Sequence, residues 1–490
     1  MNFLEFLIEH ALPFLAGALV GLLLIGVAVV LVRTLRFRPK KTVARTPEAL
    51  DVDVDGAVAT LAALVRCKTV SYRDSALEDD AEFEKLVALL PELYPNVMKT
   101  AALTRFEGRA LLLHWKGKSA DDPAVLMAHY DVVPADERYW DKPPFDAVLE
   151  DGVLWGRGTL DTKVTMNAAL FAANRLIGEG FVPEHDVYFA FSGGEEINGV
   201  GASNIVSYFE EKGIVPGIVL DEGGAVVKGI FPGVSAPCGM VGIAEKGMLN
   251  LEFEVKSAGG HASAPKPHTP VGELSLACCQ MEAKPYKKHL TAPVAAMFDT
   301  LGRHSTFLYR MIFANLWLFG GVLDLICRKS GGDLNAMMRT TVAFTQMQGS
   351  PAPNVIPPSA TMVANLRLNP EDTMDGALAY AKRVVGNGRV TVKAIDGMDP
   401  SRISQIDTDA FLKVKHAVED TWQGTLVTPY LMVQCSDCRH WGRVSDKVYR
   451  FSAMDMTAEE RATVHGNNER IRVDAVGRAV EFYLRLIKQL

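Results

Sequence analysis

The chain has 490 residues, with 51 basic against 58 acidic side chains and a formal net charge of −7. Hydrophobic residues make up 48% and charged residues 22%, which excludes a disordered or collagen-like chain and leaves room for two or three domains. A net negative charge with no long basic stripe excludes nucleic acid as the expected partner.

From Ala11 to Val32 the chain reads ALPFLAGALVGLLLIGVAVVLV, without a charge. As a helix this run rises about 33 Å, enough to cross the hydrocarbon of a bilayer. No Lys or Arg precedes it and it runs directly into Arg33. A cleaved signal peptide has a basic start, a shorter apolar stretch and a small-residue cleavage site. An uncleaved, single-pass N-terminal transmembrane helix is therefore predicted. Arg33, Arg36, Arg38, Lys40, Lys41 and Arg45 all follow the span, so the positive-inside rule predicts that the bulk of the chain is cytoplasmic. The seven cysteines, with no disulfide-framework spacing, agree with that side.

After a polar linker, Val58 to Val65 and Glu82 to Leu93 have apolar residues at helical spacing. Three short apolar runs then end in polar clusters. Ala124–Ala128 leads into His129, Val187–Phe191 into Ser192-Gly193-Gly194, and Gly217–Leu220 into Asp221-Glu222-Gly223-Gly224. A helical stretch from Thr165 to Ile177 separates the first two. Strands that alternate with helices and end in polar loops predict an α/β domain with a mostly parallel sheet, its chemistry at the strands' carboxyl ends. From about Gly247 the pattern changes. Met248–Lys256, Thr340–Met347 and Thr361–Leu368 alternate as half-buried strands do, and Asp375–Val385 is helical. This predicts an α+β domain inserted at about residues 247–400. Within it, Thr306–Cys327 is strongly apolar but contains Arg310 and Asp324, and reads as a buried or interface helix rather than a second span. The domain reading is 1–45 anchor and linker, 46–246 and 401–490 the two parts of a catalytic domain, and 247–400 the insertion.

The chemistry is concentrated where the strands end: His129-Tyr130-Asp131, Asp161, Glu195-Glu196 and Asp221-Glu222, with His465 near the C-terminus. Carboxylates massed at one end of a sheet repel one another unless cations neutralise them. Imidazole with carboxylate is a ligand set that zinc accepts, and two metals sharing a carboxylate make a hydrolytic centre.

The strings LMAHYDVVP, WGRGTLDTK, FSGGEE, LDEGG and VHGNNE, in that order, resemble the di-zinc exopeptidase and amidohydrolase family (clan MH) of carboxypeptidase S, aminoacylase and glutamate carboxypeptidase. The pattern is most similar to the branch of carboxypeptidase S and the N-fatty-acyl-amino-acid hydrolases. The resemblance implies a zinc-peptidase catalytic domain carrying an inserted lid domain, which often mediates homodimerisation. It implies two Zn²⁺ per subunit, bridged by Asp161. His129 and a carboxylate of Asp221-Glu222 would complete one metal, and Glu196 and His465 the other. Only one of Asp221 and Glu222 should bind directly, because neighbours on an extended strand point oppositely. The resemblance makes Glu195 the general base for a hydroxide bridging the metals, and Asp131 the residue that orients His129. In the insertion, His261 matches the lid histidine that stabilises the oxyanion, often across a dimer interface. Asn354 and Arg367 match residues that hold a substrate carboxylate, to which an Arg fork is suited.

One stretch departs from the pattern. Where relatives have a Gly-Gly-Thr-Asp-like run, this chain has Gln434-Cys435-Ser436-Asp437, so Cys435 adds bulk beside the pocket. Cys435 and Cys438 also form a C-x-x-C, without the second pair or thioredoxin-like context that a redox reading needs. The expected function is a membrane-anchored di-zinc hydrolase of the amide bond next to a free α-carboxylate, in a short peptide or an N-acyl amino acid. The alternative is a non-catalytic binding protein on the same fold, which would lack a ligand or the base.

Overall fold

The computed structural model describes residues 12–40 and 45–490; Ala11 of the apolar run and Lys41 of the basic cluster lie outside them. Strands β1 (Ala102–Phe106), β2 (Ala110–Trp115), β3 (Ser119–His129), β4 (His185–Ser192), β5 (Ile218–Val227) and β6 (Cys238–Glu245) come first along the chain. They are followed by β7 (Gly247–Lys256), β8 (Thr341–Gln348), β9 (Ser359–Leu368) and β10 (Val390–Met398), and then by β11 (Leu426–Met432) and β12 (Val448–Met456). The helices used below are α1 (Leu12–Arg36), α2 (Val54–Val65), α3 (Asp80–Leu93), α4 (Lys163–Gly178), α5 (Gly201–Lys212) and α6 (Pro270–Ala283). After these come α7 (Ala292–His304), α8 (Phe307–Ala314), α9 (Leu316–Ser330), α10 (Gly332–Met338), α11 (Met374–Val385) and α12 (Val473–Ile487).

An eight-stranded sheet has the order β1-β2-β4-β3-β5-β12-β6-β11. Its central strands β4, β3, β5 and β12 are parallel, and ligand sites belong at their carboxyl ends. The sheet is mixed: β3–β4, β3–β5, β5–β12 and β6–β11 are parallel, as expected, and the β1–β2 edge is antiparallel. β1 and β2 are joined by a tight turn in which Gly108 (φ 77°) and Arg109 (φ 55°) both lie in the left-handed region, and a link that short permits only antiparallel pairing. β2 pairs antiparallel with β4 in turn. The period-two alternation explains why the central runs are continuously apolar. Leu126, Ala128, Phe189 and Phe191 face the core shared with α2, α3, α4 and α12. Val125, Met127, Tyr188 and Ala190 face the opposite layer, with Ile205, Val206 and Phe209 of α5 and with Trp441.

A second sheet, β8-β9-β7-β10, is antiparallel throughout. One face of β7 (Leu249, Leu251, Phe253, Val255) and of β9 (Ala360 to Leu368, alternately) packs on α6 and α11 as a separate core, and the other face is partly solvated. Helices α7 to α10 lie between β7 and β8 in sequence. Even so, Val294, Met297, Phe298, Leu301, Phe313 and Cys327 pack into the first core rather than this one. The apolar stretch Thr306–Cys327 is two helices, α8 and α9, bent by 109° at Asn315. The Asn315 side-chain amide donates to Met311 O at 2.9 Å, a hydrogen bond back into α8 that competes with helix continuation.

The segment Phe14–Arg36 is long and apolar enough to cross a membrane. Helix α2 begins at Val54, four residues before the periodic run, because Asp53 caps it by accepting from Gly56 N at 2.9 Å.

Phe189 is fully buried in the middle of the central sheet. Phe189→Ala is expected to lower the unfolding free energy by about 3–5 kcal/mol in urea titrations of the purified protein, the cost of emptying a site that cannot collapse.

Candidate metal centre

The parallel strands bring their polar ends into register: His129, the last residue of β3, pairs with Ser192, the last of β4. Beyond Ser192 two glycines lead into a single 3₁₀ turn, Glu195–Ile197, which turns the paired glutamates back over the strand ends. In β5 the register against β12 jumps from Asp221↔Arg450 to Gly224↔Phe451, leaving Glu222 and Gly223 as a bulge. Such bulges re-aim side chains, and this one separates two adjacent carboxylates. Glu222 Oε1 lies 3.3 Å from His129 Nε2. Asp221 is buried behind it, its Oδ2 accepting from Cys438 N at 2.9 Å and its Oδ1 from Glu222 N at 2.9 Å.

Asp161 stands at the centre. Its Oδ1 is 2.9 Å from His129 Nε2, and its Oδ2 is 3.0 Å from His465 Nε2. His465, held in the left-handed region at φ 57°, is also 3.0 Å from Glu196 Oε2. Asp161 thus stands between the two imidazoles, one oxygen toward each. Ligand atoms of His129, Asp161 and Glu196 lie within 4.8 Å of one another, as do those of His129, Glu195 and Glu222. Both sets combine imidazole nitrogen with carboxylate oxygen, as a divalent borderline cation prefers.

Charge balance makes the same case. Burial pushes the Glu222 carboxyl up to about 8 and that of Asp221 up to about 7. Burial likewise raises Glu195 well above the usual carboxylate range, with Asp437, Glu222 and Glu196 adding repulsion and His129 opposing it. Hydrogen bonds donated to the carboxylates of Asp161 and Glu196 lift His465 to about 10. His129 rises well above its usual value because the carboxylates of Glu222, Asp131 and Asp161 outweigh the effect of burial. Such crowding of buried acids around two imidazoles is what a divalent cation would relieve.

Surrounding groups hold the donors in place. Asp131 is fully buried beside the His129 ring, whose Nδ1 is 3.0 Å from Asp131 O and 3.4 Å from Oδ1. The same carboxylate accepts from Ser71 Oγ at 2.7 Å, Glu195 N at 3.1 Å and Glu196 N at 3.2 Å. Glu469, also fully buried, accepts from Gly158 N at 3.1 Å, Leu160 N at 2.7 Å and Asp161 N at 3.1 Å, and pairs with Arg157 Nη1 at 2.7 Å. Sequence reasoning gave no role to Ser71, Arg157 or Glu469. Glu469 closes the VHGNNE string that also carries His465, and that membership was the available signal.

A cleft of about 390 Å³ exposes Asp161, Glu195, Glu222 and His465, with Met432, Gln434, Cys435 and Met454 on its walls. Arg367, on β9, donates from Nη1 to Cys435 Sγ at 3.3 Å and so borders this cleft. His261 and Asn354 do not line it. They sit together on an exposed ribbon in which Gly260-His261 pairs with Val355-Ile356 and Ala262 N donates to Asn354 O at 2.9 Å. Next to the cleft, sharing Gly223, Gln434, Met456 and Arg461 with it, is an apolar cavity of about 150 Å³ walled by Phe231, Met240, Met297, Leu334, Met337 and Val433.

Residues 125–489 match the model of peptidase family M20/M25/M40. The chain belongs to this family. The M20 chain is 32% identical over 484 residues to the probable carboxypeptidase S-like 2 of Dictyostelium discoideum, covering 95% of this chain and 92% of that protein. It is 31% identical over 485 residues to the N-fatty-acyl-amino acid synthase/hydrolase PM20D1 of Xenopus tropicalis, covering 97% and 94%. Its fold is similar to that of the M20 family metallo-carboxypeptidase Sso-CP2 from Sulfolobus solfataricus, with a TM-score of 0.65, 16% identity and coverage of 88% and 98%. The M20 chain is thus an enzyme of a metal-dependent hydrolase family, with carboxypeptidase-like and N-fatty-acyl-amino-acid hydrolase relatives.

Two measurements test the centre. A histidine must shed its added proton to ligate a metal, so metal uptake near pH 7 is expected to release protons. Titration calorimetry in buffers of different ionisation enthalpy should give buffer-dependent heats, and a buffer-independent heat would contradict the charge balance above. Glu469→Ala leaves Arg157 buried and unpaired, and is expected to cost about 3–5 kcal/mol of stability in denaturant titrations, with loss of metal because the Asp161 loop is freed.

Proposed function

We propose that the protein is a membrane-anchored di-zinc hydrolase that cleaves the amide of N-acyl amino acids carrying an apolar acyl group. The observation that carries the hydrolytic centre is the position of Asp161, one oxygen toward His129 and the other toward His465. His129, Asp161 and Glu222 would hold one cation, and Asp161, Glu196 and His465 the other. Two Zn²⁺ held there would supply Lewis-acid polarisation of the scissile carbonyl and water of lowered pKa.

The chain's own residues supply the rest. Glu195 stands at the cleft with its proton affinity raised by burial, which suits a carboxylate that must take a proton from the attacking water near neutral pH. As the water oxygen bonds to the acyl carbon and the C–N bond breaks, Glu195 returns that proton to the leaving amine. Asp131 positions both partners of this exchange, since it fixes the His129 ring and receives the backbone N–H groups of Glu195 and Glu196. Arg367, at the edge of the cleft, is placed to hold the α-carboxylate of the substrate. His261 and Asn354, turned away from the cleft, are proposed to serve the site of a second copy of the chain in a homodimer through the inserted 247–400 domain.

The choice of an acyl group over a short peptide rests on the cavity beside the cleft, where Phe231, Met297 and Met337 give a hydrocarbon chain apolar surface to pack on. Similarity to an N-fatty-acyl-amino acid hydrolase supports the same choice. Anchoring is supported at Val30 and Thr34 of α1, which are buried, and by Arg33, which donates to Ala314 O at 3.0 Å. A segment removed by a signal peptidase has no need of such packing. With Arg33, Arg36, Arg38 and Lys40 following the span, the positive-inside rule favours a cytoplasmic active site.

Glu195→Gln is expected to abolish turnover while two metal ions per chain remain by plasma emission spectrometry. Retained turnover would refute the role of Glu195, and one metal or none in the wild-type protein would refute the two-cation centre. Wild-type protein should hydrolyse long-chain N-acyl amino acids with higher kcat/KM than dipeptides; the reverse order would favour the carboxypeptidase reading.

A further inference from the structure

Helices α8 and α9 each have one packed face and one bare face. Phe313, Ala314 and Cys327 are buried, and Leu316 and Leu323 rest on the main core. On the outside, Phe307 (53%), Leu308 (60%), Trp317 (62%), Val322 (57%), Leu325 (52%) and Ile326 (56%) are exposed within a stretch of twenty residues. Isolated apolar side chains on a surface need no explanation, but a contiguous patch of this kind marks an interaction surface.

What lies beside the patch identifies its partner. The last turns of α1 rest directly on the α8–α9 corner. Asn315 Nδ2 reaches Val30 O and Thr34 Oγ1, each at 3.3 Å, and Arg33 donates to Ala314 O from Nε at 3.2 Å and Nη2 at 3.0 Å. Just beyond, the Arg303 guanidinium lies 4.4 Å from the Phe37 ring centroid. Away from this corner α1 stands clear of the protein: Phe14, Leu19, Leu22, Leu23 and Ile25 are all more than half exposed. The apolar surface of α1 therefore continues into that of α8 and α9. Cationic side chains lie at both ends of this surface, with Arg33 and Arg36 in the last turn of α1, Arg38 and Lys40 after it, and Arg328 and Lys329 in the last turn of α9.

We propose that α8 and α9 lie in the membrane surface, with their bare apolar faces sunk to the boundary between headgroups and acyl chains next to the point where α1 enters the bilayer. This rests on the reading of α1 as a membrane span. An amphipathic helix lying in the interface buries its apolar face about 5–10 Å deep, a tryptophan prefers that depth, and lysine and arginine pair with anionic headgroups. Asp324, on α9, does not oppose this seating, because Arg339 neutralises it from the protein side. The arrangement also gives the neighbouring cavity a lipid-side wall. Phe231, which lines the cavity, packs with its ring centroid 4.7 Å from that of Phe313 on the inner face of α8, and Leu334 and Met337 belong to α10, which follows α9. A lipophilic substrate would thus reach the cleft from the bilayer rather than from bulk water.

The full chain, reconstituted into phosphatidylcholine–phosphatidylglycerol vesicles with bromine on the acyl chains, tests this by tryptophan fluorescence. Bromine near the headgroups should quench a component of the emission that Trp317→Phe removes, and bromine near the bilayer centre should quench it less. Turnover of Trp317→Phe should match wild type in detergent, showing that the variant is folded. If the protein floats with the vesicles and resists alkaline carbonate, yet Trp317→Phe does not change the quenching, α1 is an anchor and the seating of α8–α9 is refuted. Release by carbonate would overturn the anchor and, with it, the proposal. Absent quenching combined with efficient disulfide formation between copies carrying Val322→Cys would assign the face to a second copy of the chain instead.

Discussion

A single buried carboxylate, that of Asp131, ties the reactive corner together. It accepts hydrogen bonds from Ser71 Oγ and from the backbone N–H groups of Glu195 and Glu196, and it lies against the His129 ring. A buried carboxyl group with so many partners is costly to disturb, so it fixes the ring of His129 and the turn of the two glutamates relative to each other. Glu469 does the same for Asp161, receiving three consecutive-loop N–H groups and the Arg157 guanidinium. The two supports come from opposite ends of the chain, and α12 follows Glu469 to close the core against α4.

Around those supports the acids are packed more closely than water-exposed carboxylates would tolerate. Asp161, Glu195, Glu196 and Glu222 share one small cleft with two imidazoles. Divalent cations held there would resolve that repulsion and would supply the chemistry for hydrolysis at neutral pH. The remaining architecture places apolar walls beside this polar centre: Phe231, Met297 and Met337 form a cavity one step from the cleft, and the helices behind it present Trp317 and Ile326 outward. Cys435, which replaces a small residue of the family pattern, contributes its sulfur to the cleft wall and touches Arg367.

Much of this was legible in order along the chain. The continuous apolar runs before His129 and Ser192 read as strands buried on both faces, and they are. The strictly alternating run in β7 reads as a strand with one solvated face, and its burial alternates accordingly. The hairpin β1–β2 was not visible, because its signal is a pair of left-handed turn residues rather than a hydrophobic period, and its antiparallel pairing makes the sheet mixed. Thr306–Cys327 looked like one helix, but Asn315 divides it, since a short polar side chain can bond to its own preceding turn. Ser71 escaped notice because an isolated serine has no local signature, and Glu469, visible at the end of the VHGNNE string, had no role assigned because its partners lie up to 312 residues away.

By itself, the sequence determined the inventory: which segments are apolar with which period, which donors exist, and in what order they come. These are local properties, encoded in spacing and side-chain chemistry. Only the tertiary structure decided that Glu222 rather than Asp221 turns to His129, because a bulge opposite β12 rotates one and leaves the other held by Cys438 N. It also decided that helices α7 to α10 pack on the first core although they lie between strands of the second sheet, and that α1 rests on α8. Such choices depend on which surfaces meet after the chain has folded, and a one-dimensional pattern does not carry that information.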